Sequence, residues 1–431
     1  MKIKKYFTTN HIIEGFFIAI CLSSFIYIEH FKLLDGYFLY AINSILALVG
    51  LFRLIKSYTP IWFFSGFFIG IFWFWWMGVS FNYYNLPYLI VPVIFFVALL
   101  FGSIFLFSAF SANFISKFLE RKLSISYNYT IYILRALALL IPIFFEIFGF
   151  NWFKLQLLFI DSFFGVELWQ FLVIVLTLAI IITFKKWFLI FLIVLAIDLK
   201  KPQIFTPDKL QDIELVSTNI NIKDKWKVEN REKYTEMAFE KIDNAIKKKK
   251  KLIIFPESIL PYFLNLETPY LKEFLNKSKQ ITIVIGSLLY KGKNNYRNSA
   301  FILKNGEYQV ANKVVLVPFG EANPLPDFMK GIVNKIFFDG AVDYIADKNF
   351  TYIKALDKEY KIAICYEGTS AKTYQDNPKF LIVISNNAWF YPSIEPTLQM
   401  LLMKYFSKLH NTVIYHSING SNSYIVMPFN N

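Results

Sequence analysis

The sequence predicts an α-helical transmembrane bundle followed by an α/β domain, and three observations predict it. The chain of 431 residues is 56% hydrophobic and 19% aromatic, too apolar for a single soluble domain. The apolarity is uneven: up to about Leu199 nearly every residue is Phe, Ile, Leu, Val, Ala or Trp, and charged residues return after Pro202. Beyond Ile213, short β-branched runs alternate with helical spacings. The expected boundaries are 1–200 for the membrane domain and 201–431 for an α/β domain long enough to bury its own core.

A membrane span needs about 20 apolar residues. Seven candidates follow in order: Ile12–Ile28, Leu33–Leu54, Ile61–Val79, Leu86–Phe110, Thr130–Phe150, Glu167–Phe184 and Trp187–Leu199. The last is short and is separated from its predecessor only by Lys185-Lys186. The first is not a cleaved leader, because no small-residue cleavage site follows and further spans come at once. With the N-terminus inside, the inner segments hold Lys2, Lys4, Lys5, Arg53, Lys56, Lys117, Arg121, Lys122, Lys185 and Lys186, and the outer loops only Lys32 and Lys154. That is ten against two, the asymmetry of a cytoplasmic N-terminus. An odd number of spans then leaves everything after Lys200 outside; in a two-membrane bacterium this would be the periplasm. Glu14 and Arg135 lie near span ends, where long side chains reach for the interface. Glu146 lies near an outer membrane face, where a charge points to function.

The net charge of +14 sits largely at membrane flanks and in the run Lys247–Lys251. No basic-aromatic recognition pattern accompanies it, so nucleic acid is set aside.

In the second half, Ile213–Ile220 reads as a strand and Glu229–Lys250 as a helix, with Tyr234, Met237, Ala238, Ile242 and Ile246 on one face. The lysines that end that helix complement its dipole. Leu252–Phe255 is a strand, and Ile281–Ile285 another, closed by Gly286. Ser299–Leu303 and Tyr308–Val317 form a hairpin across Asn305-Gly306. Lys361–Cys365 and Phe380–Ser385 are strands, Pro396–Leu409 is an amphipathic helix, and Thr412–Ser417 and Ser423–Met427 close the chain. There is no internal repeat, phosphate-binding loop, dinucleotide fingerprint or metal cluster. His410 and His416 are six apart, poor zinc spacing, so no cofactor or metal is expected.

Three functional groups stand at strand ends: Glu257, Lys313 and Cys365. Cys365 is one of two cysteines, and the other, Cys21, lies inside an apolar span. Outside the cytoplasm cysteines usually pair, so a lone thiol suggests a reactive group. A small buried hydrophobe at a strand end is the alternative. A thiol needs a base, which a carboxylate can supply. Acyl transfer also needs a donor where the oxyanion develops, which a lysine can supply. On spacing alone, Lys291, Lys293, Lys304, Glu307 and Glu321 compete for these roles.

Four motifs in order narrow the choice: FPES at Phe255–Ser258, NKVVLVPFGE at Asn312–Glu321, AICYE at Ala363–Glu367 and SNNAWF at Ser385–Phe390. The chain resembles the nitrilase, or carbon-nitrogen hydrolase, superfamily, and more closely its membrane-anchored branch, the apolipoprotein N-acyltransferases. The resemblance implies an α-β-β-α sandwich. It implies Glu257 as general base, Cys365 as nucleophile, and Lys313 with the N–H of Tyr366 around the oxyanion. Glu321 and Glu367 match acidic positions around the nucleophile. Trp389 and Phe390 line an acyl pocket or pack the core; Asn386 orients the site or makes a strand-end turn; Glu146 matches an acid near the outer face.

The implied reaction is ping-pong. A phospholipid, typically phosphatidylethanolamine, gives its sn-1 acyl group to the thiol, and the α-amine of a diacylglyceryl-cysteine on an apolipoprotein takes it. The implied setting is the bacterial inner membrane, with a monomeric enzyme. The chain departs from the pattern in four places. It ends at Asn431, where many members continue into a further strand and span. It has His416 where an arginine is usual. Val216-Ser217-Thr218-Asn219 lacks a glutamine, and the arginine after Glu146 is missing. Two other readings remain: a membrane-tethered amidase or nitrilase acting on a small C–N substrate, and a non-catalytic scaffold. The presence of Glu257, Lys313 and Cys365 together argues against the scaffold.

Overall fold

The computed structural model describes residues 8–83, 85–146, 149–199, 211–293, 295–318, 320–323 and 344–429. The chain divides into two compact units. One comprises Met1–Ile147, Asn151–Lys200 and Pro392–Tyr405; the other comprises Phe148–Phe150, Lys201–Tyr391 and Phe406–Asn431.

In the first unit, among the described residues, five helices are long and apolar enough to cross a membrane: Thr9–His30, Gly36–Lys56, Thr59–Asn82, Pro87–Leu123 and Tyr127–Phe144. They contain α1 (Thr9–His30), α2 (Gly36–Lys56), α3 (Thr59–Phe74), α4 (Ile90–Leu123), α5 (Tyr127–Ala138) and α6 (Leu140–Phe144). The last two stretches of the expected seven are shorter: α7 (Leu168–Phe184), 17 residues, and a 3₁₀ helix, Trp187–Ala196, of 10. Two glycines set the α3–α4 approach. A Cβ on Gly66 would lie 2.5 Å from Phe101 O, and one on Gly70 3.0 Å from Ala98 Cα. Without a hydrophobic force between helices in lipid, such close backbone contact is what holds them. Glu14 pairs with Arg53 at 2.9 Å. Arg135 does not snorkel: it is buried, donating to Ile55 O at 3.3 Å and Asn113 Oδ1 at 3.4 Å. Its charge meets the carboxyl end of α2, where the helix dipole is negative.

The second unit starts with β1 (Ile213–Leu215), α8 (Ile222–Lys225), α9 (Arg231–Lys247), β2 (Leu252–Ile254), β3 (Leu260–Phe263) and α10 (Thr268–Lys277). Then come β4 (Thr282–Tyr290), β5 (Tyr296–Lys304), β6 (Glu307–Asn312), β7 (Tyr352–Ala355), β8 (Lys358–Ile364) and β9 (Phe380–Asn386). Last are α11 (Glu395–His410), β10 (Val413–Asn419) and β11 (Tyr424–Val426). Residues 392–405, most of α11, group with the first unit. One mixed sheet runs β1-β2-β4-β5-β6 with β3 on β4, and a second runs β11-β10-β9-β8-β7.

The two-residue alternation of strands builds the layers. Leu252, Ile254, Val284 and Ile302 point toward Ile362, Ile364, Ile382 and Tyr415 of the second sheet. Ile253, Phe255, Ile283 and Ile285 point the other way, onto Ala238, Ile242 and Phe274 of α9 and α10. The hairpin turns at Asn305-Gly306, both with positive φ, the pair a type I′ turn requires.

Three of the expected boundaries that move have a local cause. β1 ends at Leu215 rather than Ile220, because the chain crosses to the other sheet, where Thr218 bridges Asn419. β4 is not closed by Gly286 but runs on to Tyr290. β6 ends at Asn312, not Val317, because Val314 and Val315 turn their N–H groups to Glu367. Four elements were not anticipated: α8, β3, α10 and β7.

Candidate active site

Glu257 follows β2 across Pro256. Gly286 makes room for this loop: a Cβ there would lie 2.4 Å from Ser258 N and 2.7 Å from Glu257 Cα. The glycine marks a close backbone approach inside a strand, not its end. Lys313 follows β6 directly, and its N–H donates to Asn298 O at 3.0 Å. Cys365 follows β8 and opens a 3₁₀ turn, Cys365–Thr369, with φ of +54°. A non-glycine residue in the left-handed region costs about 1–2 kcal/mol, and such outliers cluster at functional sites.

These strand ends converge. Lys313, fully buried, places Nζ 2.7 Å from Glu321 Oε2 and 3.8 Å from Glu257 Oε1. Burial pulls its pKa down, but Glu321, Glu257 and Cys365 outweigh that and hold it above the usual lysine value. Asn298, buried on β5, donates its amide to both acids: 2.7 Å to Glu257 Oε1 and 2.8 Å to Glu321 Oε1. Glu321 Oε2 also accepts from Val317 N at 2.9 Å.

Glu367 ties the loop after Lys313 to the cysteine turn. One oxygen accepts from Val314 N at 2.5 Å and Val315 N at 2.9 Å, the other from Ile364 N at 2.6 Å. Burial pushes its pKa up to about 7, against the opposing pull of Lys313 and these three N–H groups. Lys225, also fully buried, donates from Nζ to Glu257 O at 3.0 Å. The unit thus gathers a thiol, three carboxylates and two lysines at strand ends and in the segments that follow them, where α/β folds hold their chemistry.

Residues 9–200 match the apolipoprotein N-acyltransferase integral membrane domain, and residues 216–408 match the carbon-nitrogen hydrolase family. The apolipoprotein N-acyltransferase of Wolinella succinogenes is 37% identical over 419 residues, covering 95% of this chain and 94% of that protein. The chain belongs to the apolipoprotein N-acyltransferase family. The Helicobacter pylori relative of the same name is 32% identical, covering 96% of this chain and 95% of its own. An amidase from Nesterenkonia sp. overlays 50% of this chain and 82% of its own, with a TM-score of 0.38 and 11% identity. The protein is an acyltransferase built on apolar membrane helices.

The remaining expected residues of this N-acyltransferase family member are spread more widely. Tyr366 is buried beside Cys365; its hydroxyl donates to Gly149 O at 2.9 Å, and its ring stacks on Phe150 at 6.0 Å. Asn386 ends β9 and accepts from Asn419 Nδ2 at 2.7 Å, so it joins strand ends. Trp389 and Phe390 are half-buried on the 3₁₀ turn that follows β9. Glu146 is exposed in the first unit, accepting from Asn151 Nδ2 at 3.3 Å. His416 is buried inside β10 with Nε2 2.7 Å from Ser385 Oγ; burial lowers its pKa to about 3, so near neutrality it lacks an arginine's charge.

Sequence reasoning missed Asn298 and Lys225. Asn298 had a signal: it is the polar member of the row Asn298, Ala300, Ile302 on the buried face of β5. Lys225 had none, because it stands between Lys223 and Lys227 in a lysine-rich run whose other members are exposed.

Proposed function

We propose that the protein moves a fatty acyl group from a membrane phospholipid, typically the sn-1 chain of phosphatidylethanolamine, to the α-amine of a diacylglyceryl-cysteine at an apolipoprotein N-terminus. The observation that carries this reading is the convergence of Glu257, Lys313 and Cys365 in a chain of this family. Glu257 takes the Cys365 proton, and the thiolate attacks the ester carbonyl. Lys313 and the N–H of Tyr366 stabilise the oxyanion. The carbon–oxygen bond breaks, the lysophospholipid oxygen takes the proton from Glu257, and a thioester remains. The acceptor amine then attacks, Glu257 takes its proton, the carbon–sulfur bond breaks, and the thiol is regenerated as the amide leaves.

Both substrates sit in a bilayer, which accounts for membrane helices on the same chain. Counting five long helices or all seven apolar stretches, the number is odd. With a cytoplasmic N-terminus, either count supports a periplasmic site. The test is intact-protein mass spectrometry of purified protein mixed with phosphatidylethanolamine, before and after neutral hydroxylamine. A fatty-acyl mass gain, lost with hydroxylamine and absent in Cys365→Ala, is expected. A folded protein that takes up no acyl group would overturn the reading.

A further inference from the structure

Lys225 is a buried charge that this reaction leaves unassigned. It is fully buried, while its neighbours Lys223, Asp224, Trp226 and Lys227 are exposed. A lysine near a surface normally extends its ammonium into water, since burying an unpaired charge is costly. Here the fold forbids it. Asn221 caps α8 through Lys223 N at 2.9 Å. The preceding segment is clamped by Asn419 Oδ1, which accepts from Thr218 Oγ1 and Ile220 N, each at 2.8 Å. Asn419 Nδ2 in turn donates to Ile220 O at 2.9 Å and Asn386 Oδ1 at 2.7 Å. The ends of β9 and β10 therefore dictate where the single turn of α8 places its lysine.

The ammonium spends one hydrogen bond on Glu257 O and, among the described residues, forms no direct ion pair with a carboxylate. Glu257, from the loop after β2, and Cys365, from the end of β8, both act on it as negative charges. The surrounding groups are Lys313, Glu321 and Glu367, so three carboxylates share the cluster with one other cation. Burial lowers the Lys225 pKa to about 8, which leaves it charged near neutrality.

We propose that Lys225 is a positioning residue of the acyl-transfer site: its ammonium holds the Glu257 loop and supplies the second buried positive charge that favours the ionised Cys365 thiol. The inference rests on Cys365 being the nucleophile and deepens that reading. A residue that only filled space would slow the enzyme equally at every pH. One that acts through its charge moves the pH at which the thiol ionises.

The experiment follows alkylation of Cys365 by iodoacetamide against pH, by peptide mass spectrometry, in the full-length detergent-solubilised protein. It needs no lipid substrate, so it separates this inference from the acyl-transfer reading. In Lys225→Met the midpoint is expected to rise by about one pH unit, a roughly fivefold slower reaction at the wild-type midpoint. Lys225→Arg, which keeps the charge, is expected to return toward the wild-type profile. Lys225→Gln gives the same reading if the Met variant fails to fold. A folded Met or Gln variant with an unmoved midpoint, or a uniform slowing at all pH values, would overturn the proposal. A moved midpoint in a protein whose wild type forms no acyl-enzyme would sustain the role of Lys225 and defeat the lipid reading instead.

Discussion

The first unit buries Glu29 and Asp161 around Lys404; the second gathers the buried Glu257 and Glu367 and the half-buried Glu321 around Lys313. In the first, Lys404 Nζ lies 3.1 Å from Asp161 Oδ2 and 3.6 Å from Glu29 Oε1, and Lys32 reaches Glu29 from the surface. Two acids meet two cations, and Asp161 O also receives Asn43 Nδ2. In the second, Lys313 sits close to Glu321 but 3.8 Å from Glu257, and three carboxylates share two lysines. A balanced cluster holds its protons and serves as structure. An unbalanced one, with an acid at loose range beside a thiol, can accept a proton. The same residue types thus become a brace or a reaction centre according to how completely each charge is answered.

Removing the thiol should give the largest difference between the two regions. Cys365→Ala should abolish the hydroxylamine-sensitive acyl adduct, with circular dichroism unchanged. Next, Glu257→Gln should lower the rate of acyl-enzyme formation by about 10²–10⁴-fold, the usual worth of a positioned general base. Lys313→Met should cost at least about 10²-fold through the lost oxyanion contact; single-turnover rates with a labelled phospholipid would check both. If either variant kept near-normal rates, the second cluster would be a brace like the first.

A smaller effect concerns Glu367 and is read through stability. Its native pKa of about 7 stands above the ordinary glutamate value of 4.5, so the native state holds a proton that the unfolded chain releases. Stability should therefore fall as pH rises from about 4.5 to 7, and Glu367→Gln should flatten that fall. Melting temperatures across this window would test the sign. The smallest catalytic effect is expected from the first unit. Lys404→Met should leave acyl-enzyme formation within about twofold, yet destabilise the protein by roughly 3 kcal/mol, because two buried acids lose their partner. A drop in rate without a drop in melting temperature would erase the distinction.

Much of this site is legible in the sequence. FPES, NKVVLVPFGE and AICYE each put one group at the end of a strand, and Glu257, Lys313, Cys365, Glu321 and Glu367 fall in one unit. Gly286 is legible but misleading: a glycine in an apolar run looks like a stop, whereas here it admits a second backbone. Asn298 shows in the sequence only as a polar residue on a buried strand face and Lys225 not at all, and their partners lie 41 and 32 residues away along the chain.

The sequence by itself determined the apolar first half, the order of strands and helices beyond it, and the residue types that can carry acyl transfer. These are local properties, written in runs, two-residue alternation and short motifs. Only the tertiary structure decided that one amide serves two acids, that Cys365 takes a left-handed backbone, that His416 is buried and uncharged, and that one lysine among several turns inward. Each depends on which distant strand ends meet, and on how much water the packed sheets leave around a charge.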